Sequence, residues 1–160
     1  MQAQDTINPA IETLQQLRAS GQIRAISLDL DDTLWPIWPT IAKAEGILLR
    51  WLEQHAPGTA QSLGDTATVR ALRHEIVTLR PDLKTDLSGL RRESIRLALT
   101  RAGDDPALAE PAFDEFFAAR HQVDLFDDAL PALQFLSQRW PVVALSNGNA
   151  NVNVVGIGEH

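Results

Sequence analysis

The sequence predicts an α/β protein: a Rossmann-like parallel sheet core, incomplete at two strands, interrupted by an all-helical insertion. Three observations predict it. Two short apolar runs, IRAISL (Ile23 to Leu28) and PVVAL (Pro141 to Leu145), are partly β-branched and read as buried strands. Each ends abruptly in a polar loop, DLDDT after the first and SNGN after the second. Between them, apolar residues recur at helical spacing with no strand-like alternation.

Taken in order, the first element is a helix that Asn8 can cap and Pro9 can start, with Ile11, Leu14 and Leu17 as its stripe and Gly21 as its stop. The first strand follows. From Pro36, the residues Ile37, Ile41, Ala44, Leu48, Trp51 and Leu52 trace a long helix closed by Pro57-Gly58. A second inserted helix has Asp65 as its cap, a stripe of Val69, Leu72, Ile76 and Leu79, and Pro81 as its end. A third spans about Asp86 to Arg101, before Gly103. A fourth, EPAFDEFFAARH, gathers Phe113, Phe116 and Phe117 on one side. A loop and a helix carrying Leu130, Leu133 and Leu136 then lead into the second strand. The expected division is 1–35 with 123–160 as the α/β core, and 36–122 as the helical insertion.

Length and composition bound the function. The 160 residues suit one domain, and 44% hydrophobic with 22% charged residues argues against disorder. A net charge of −7 excludes nucleic acid as the expected partner, because phosphate backbones are held by basic surfaces. The absence of cysteine excludes disulfides, thiolate metal sites and cysteine nucleophiles. The N-terminus, MQAQDTINPAIETLQQL, does not read as a signal peptide, and no apolar run approaches the roughly 18 residues of a membrane span. A cytoplasmic protein without a membrane partner is the expectation.

The cluster Asp29-Leu30-Asp31-Asp32-Thr33 demands a reason, since adjacent carboxylates repel and are costly to desolvate. An acidic turn bonded to its own backbone is one reading, but it does not need the apolar Leu30 and Leu34. An EF-hand loop fails: its sixth position would be Leu34 instead of Gly, and its twelfth Thr40 instead of Glu. The third reading is a carboxylate nucleophile with a second carboxylate two residues on for acid–base work, the pair held beside a phosphate by Mg²⁺. In open parallel sheets the ligand sits beyond the carboxyl ends of the strands, where both polar loops are expected.

These residues resemble a known family. Ile26 to Leu34, an apolar strand followed by Asp-x-Asp-x-Thr, resembles the first signature of the haloacid dehalogenase-like hydrolases. Val142 to Gly148, an apolar strand ending in Ser, resembles the second, and a helical cap between the two is a family arrangement. The resemblance implies roles. Asp29 would be the nucleophile and a ligand of Mg²⁺. Asp31 would be the acid/base, with its backbone carbonyl also on the metal. Thr33 would support the loop, and Ser146, Asn147 and Gly148 would bind phosphate. Asp31 favours a phosphatase acting on a small phosphorylated metabolite over a dehalogenase, because a phosphate ester needs its leaving oxygen protonated and a halide does not. A non-catalytic binding protein is the alternative from another class.

The resemblance covers roughly the first two-thirds of a family member. A downstream Lys and a final acidic motif are expected, yet only NGNANVNVVGIGEH follows Ser146, and the only lysines are Lys43 and Lys84. Two strands make a poor sheet alone, which also predicts self-association to complete it. Losing one electrostatic group of this kind costs a factor of about 10²–10³, so weak or no activity is expected of this chain alone. Two further features carry expectations. Trp35 and Trp38 read as packing between cap and core. Arg91, Arg92 and Arg96 read as a solvated helix face balanced by Glu93.

Overall fold

The computed structural model describes residues 9–64 and 66–160. Helix α1 (Pro9–Ala19) ends where Gly21 turns left-handed, as its sequence predicts, with Leu14 and Leu17 half-buried. The expected caps Asn8 and Asp65 lie outside the described residues.

The two strands are shorter than their apolar runs: β1 is Ile26–Leu28 and β2 is Val142–Ala144. They pair in parallel, Ile26 opposite Val142, Ser27 opposite Val143 and Leu28 opposite Ala144. Two flanking bonds extend the ladder, Ile26 N–H to Pro141 O and Leu145 N–H to Leu28 O, each 2.9 Å. The strands are less covered than their composition predicts. Ser27 is exposed, as are Val143 at 53% and Leu145 at 72%.

Between the strands lie the predicted helices: α2 (Ile37–His55), α3 (Pro57–Ser62), α4 (Thr66–Leu79), α5 (Leu87–Ala102) and α6 (Ala109–Arg120). The helix α3 is the departure. Pro57 does not only end α2; it opens a new helix at a first-turn position where its missing N–H costs nothing. Asp104 fixes that start by accepting from both the backbone N–H and the hydroxyl of Thr59 at 2.7 Å. Asp86 caps α5 through Gly89 N–H, and Gly103, at φ 79°, closes it in the left-handed conformation that glycine adopts without strain. After β2 a short α8 (Val152–Val155) follows, and α7 (Ala129–Ser137) precedes it.

Two apolar clusters result. In the helical block, Ala44, Leu48 and Leu52 of α2 meet Ile95 and Leu99 of α5 and Phe113 and Phe116 of α6. Beside the sheet, Leu30, Leu34, Trp35, Ala129, Leu133 and Ile157 form the second. The predicted α4 stripe is buried at Leu72 and Ile76 but leaves Leu79 exposed. Among the described residues, no helix is long and apolar enough to cross a membrane.

Burial sets the expected stability map. Leu52→Ala, at a fully buried position of the helical block, is expected to lower unfolding free energy by about 2–5 kcal/mol. Leu145→Ala, on the exposed side, should change it by about 0.5 kcal/mol or less. Urea denaturation monitored by circular dichroism measures both.

Candidate active site

Parallel pairing puts both carboxyl ends on one rim, so the 29–35 turn and the 146–149 turn face each other. The first turn is tight. Thr33 and Leu34 N–H both donate to Leu30 O, and Asp32 N–H donates to Trp35 O at 2.8 Å. Asp32 takes a left-handed φ of 57°, which a short polar side chain tolerates, and its Oδ1 accepts from Ile37 N–H to start α2. Apolar Leu30 and Leu34 point into the sheet-side cluster. That is why an acidic turn contains them: they anchor it while its carboxylates stay clear of that cluster.

The carboxylates have unequal surroundings. Asp29 is exposed at the end of β1, and among the described residues no hydrogen bond or ion pair occupies it. Asp31 is held from three sides. The Nη2 of Arg120 donates to its Oδ1 at 2.6 Å and Oδ2 at 2.8 Å, and the Trp35 indole N–H donates to Oδ1 at 2.8 Å. Gly148 closes the third side. A Cβ added there would stand 2.5 Å from Asp31 Oδ2 and 3.4 Å from Ser146 Oγ, so only glycine fits without displacing the carboxylate.

The sequence-predicted residues therefore come together in part. Asp31, Ser146 and Gly148 meet, and Gly148 N–H donates to Ser146 Oγ at 3.1 Å. Asn147 is exposed beside them. Thr33 is exposed and contributes its backbone N–H to the turn. Trp35 is fully buried, but in the sheet-side cluster instead of between cap and core, and it adds a bond to Asp31. Trp38 does not match the packing expectation either: the side chain is 76% exposed.

Sequence reasoning missed Arg120. It sits on α6 with Phe113 and Phe116, on the buried side of the helix, and is 1% exposed. A cation at apolar helical spacing was the available signal, since a buried guanidinium needs a partner. It also missed His121. Its Nδ1 donates to Phe117 O at 2.7 Å and its Nε2 accepts from Asn151 N–H at 3.0 Å; a ring carrying its proton on Nδ1 makes both bonds. Asn149 Nδ2 donates to Ser88 Oγ at 3.0 Å, tying the second turn to α5. Of the predicted solvated arginines, Arg92 and Arg96 do pair with Glu110 at the surface, but Arg91 is largely buried against Phe116.

Chemically, the rim offers an accessible carboxylate, a second fixed carboxylate two residues on, and a Ser-Asn-Gly turn. No family profile matches the chain. It is 29% identical over 147 residues to the 5-amino-6-(5-phospho-D-ribitylamino)uracil phosphatase YigB of Escherichia coli (strain K12), a match covering 89% of this chain and 61% of that protein. It superposes on a 2-haloacid dehalogenase from Pseudomonas syringae pv. Tomato DC3000 with a TM-score of 0.78 and 33% identity. The chain is similar in sequence and in fold to haloacid dehalogenase-like hydrolases.

The superposition covers 86% of this chain and 60% of the dehalogenase, so the chain spans about three-fifths of these relatives. A third structure, the HAD-hydrolase YfnB of Bacillus subtilis bound to magnesium, shares the fold at a TM-score of 0.53 and 15% identity, over 85% of this chain and 61% of that one. Within this haloacid dehalogenase-like fold, the Asp31–Arg120 pair joins the acidic turn to the helical block.

The pair is expected to be strongly coupled in stability. Asp31→Leu strands the buried Arg120 cation and should cost about 3 kcal/mol. Adding Arg120→Met removes the uncompensated charge and should recover at least about 1 kcal/mol. A double-mutant cycle of urea midpoints tests this; strictly additive losses would contradict the coupling.

Proposed function

We propose that this chain carries the nucleophile side of a Mg²⁺-dependent phosphatase for a small phosphorylated metabolite, working through an aspartyl-phosphate. The carrying observation is the contrast between the two carboxylates. Asp29 is accessible and makes no hydrogen bond or ion pair among the described residues, while Asp31 is oriented by Arg120 and Trp35 against the 146–148 turn. In this reading residues 1–35 and 123–160 form the core, 36–122 the cap, and the protein acts in the cytoplasm.

Asp29 attacks the phosphorus, the ester P–O bond breaks, and Asp31 delivers a proton to the departing oxygen. Water then attacks the aspartyl-phosphate, gives its proton to Asp31, and frees the Asp29 carboxylate with release of phosphate. The Ser146 hydroxyl and the Asn147 and Gly148 backbone amides bind the phosphoryl oxygens. Thr33 holds the turn.

The donor set suits Mg²⁺. The Asp29 carboxylate and the Asp31 backbone carbonyl supply oxygen ligands, and this ion commonly takes one or two carboxylates with water and substrate phosphate. The Asp31 carboxylate does not join them, being committed to Arg120. Among the described residues no group of three or more acids or histidines offers a site by itself. When bound, the ion would offset the repulsion between Asp29 and a phosphate dianion.

A dehalogenase is the second reading, favoured by the likeness to the 2-haloacid dehalogenase. Asp31 argues against it, since halide departure needs no acid, and the YigB relative is a phosphatase. With p-nitrophenyl phosphate the chain is expected to show slow turnover that vanishes on chelating Mg²⁺ and in Asp29→Asn. Slow turnover is expected because Lys43 and Lys84 are both exposed on the helical block and neither is among the residues around Asp31. Chloride release from 2-chloropropionate without Mg²⁺ would instead establish the dehalogenase.

A further inference from the structure

The reaction above leaves unused a cavity of about 240 Å³ that opens beside Asp31 and Gly148 and extends between α2, α5 and α6. Three guanidinium side chains, Arg73, Arg91 and Arg120, line it. Their charge is incompletely answered. Arg73 and Arg91 share one oxygen of Glu45, at 3.2 and 3.4 Å, and Arg120 pairs with Asp31. Among the described residues, three cations thus face two carboxylates in a chain whose net charge is −7.

One of these arginines is also short of an acceptor, and a second is held rigidly beside it. Arg120 is 1% exposed, and its Nη1 is buried with no hydrogen-bond partner among the described residues. Arg91 has 12% of its side chain exposed and lies with its Cζ 3.7 Å from the centre of the Phe116 ring, which fixes its plane. A buried guanidinium N–H group without an acceptor is costly, and an oxyanion offsets that cost through charge-assisted bonds. The rest of the lining is largely apolar, with Trp38 exposed beside the opening. The volume falls below the roughly 300–1,000 Å³ of sites for drug-sized ligands, so a short substituent fits.

We propose that this cavity is an anion subsite, taking a second phosphate or carboxylate that the substrate carries a few atoms from its reacting phosphate, with Arg91 and Arg120 as donors. Its orientation rests on the reading of Asp29 as the phosphate acceptor, which puts the reacting group at the rim. It narrows the substrate class to phosphate esters with an anionic far end.

Three probes on one skeleton test it: propyl phosphate, 3-phosphonooxypropanoate and 1,3-propanediol bisphosphate, titrated calorimetrically into the full chain with Mg²⁺. One or both charged-ended probes are expected to bind about tenfold tighter than propyl phosphate, and their order tells carboxylate from phosphate. Arg91→Met should bring the ratio close to one. Equal affinities in the unaltered chain, or a ratio that Arg91→Met leaves intact, overturn the subsite. Chelating Mg²⁺ separates the two readings. If it changes no affinity while the ratio persists, the phosphatase reading fails and the subsite stands. A measurement without substitution guards against misfolding. The Arg91 and Arg120 Nε–H resonances should shift with the charged-ended probes and not with propyl phosphate, and their indifference to all three overturns the proposal.

Discussion

Everything at the rim depends on the parallel register of three residue pairs, Ile26 to Leu28 against Val142 to Ala144. Antiparallel pairing would carry the second polar turn to the opposite end of the sheet. Because both strands run the same way, the acidic turn and the Ser-Asn-Gly turn leave the sheet side by side. The ladder itself is small, and each backbone bond contributes only about 1 kcal/mol net. Burial of Leu30, Leu34, Trp35, Leu133 and Ile157 beneath it supplies the larger share. The residues that hold the acidic turn down are thus interleaved with those that carry its charge.

The helical block is tied to that rim by consecutive residues at one helix end. Arg120 reaches Asp31 in the first turn, and His121 reaches Asn151 after the second. Asn149 adds a link to Ser88 at the start of α5. A shift of α6 would therefore move groups on both turns together. This coupling gives the insertion a part in placing Asp31, besides any contact it makes with a substrate.

The helices were legible in the sequence because periodicity, Pro and Gly act locally: Asp86 caps α5 and Gly103 ends it as their residue types require. The two turns were legible because an apolar run that stops at charged residues marks a strand's end. Strand length was not, since Ile23 and Leu145 look like their neighbours and only the pairing decides that they fall outside β1 and β2. Pro57 was ambiguous, being compatible with ending one helix and starting another. The burial of Arg120 was legible from its helical spacing with Phe113 and Phe116, but its partner, 89 residues away in sequence, was not. Arg91 was misplaced for a related reason: Arg91, Arg92 and Arg96 look alike in sequence, but only the approach of α2 and α6 decides which is covered.

The most direct measurement is the position of a phosphoryl mimic. A crystal structure or ¹⁹F spectrum of the chain with Mg²⁺ and beryllium trifluoride is expected to place the fluoride on Asp29, within reach of Ser146, and to lose it in Asp29→Asn. A mimic that binds away from both turns, or binds equally well without Asp29, would contradict a shared phosphate site at the carboxyl ends of β1 and β2.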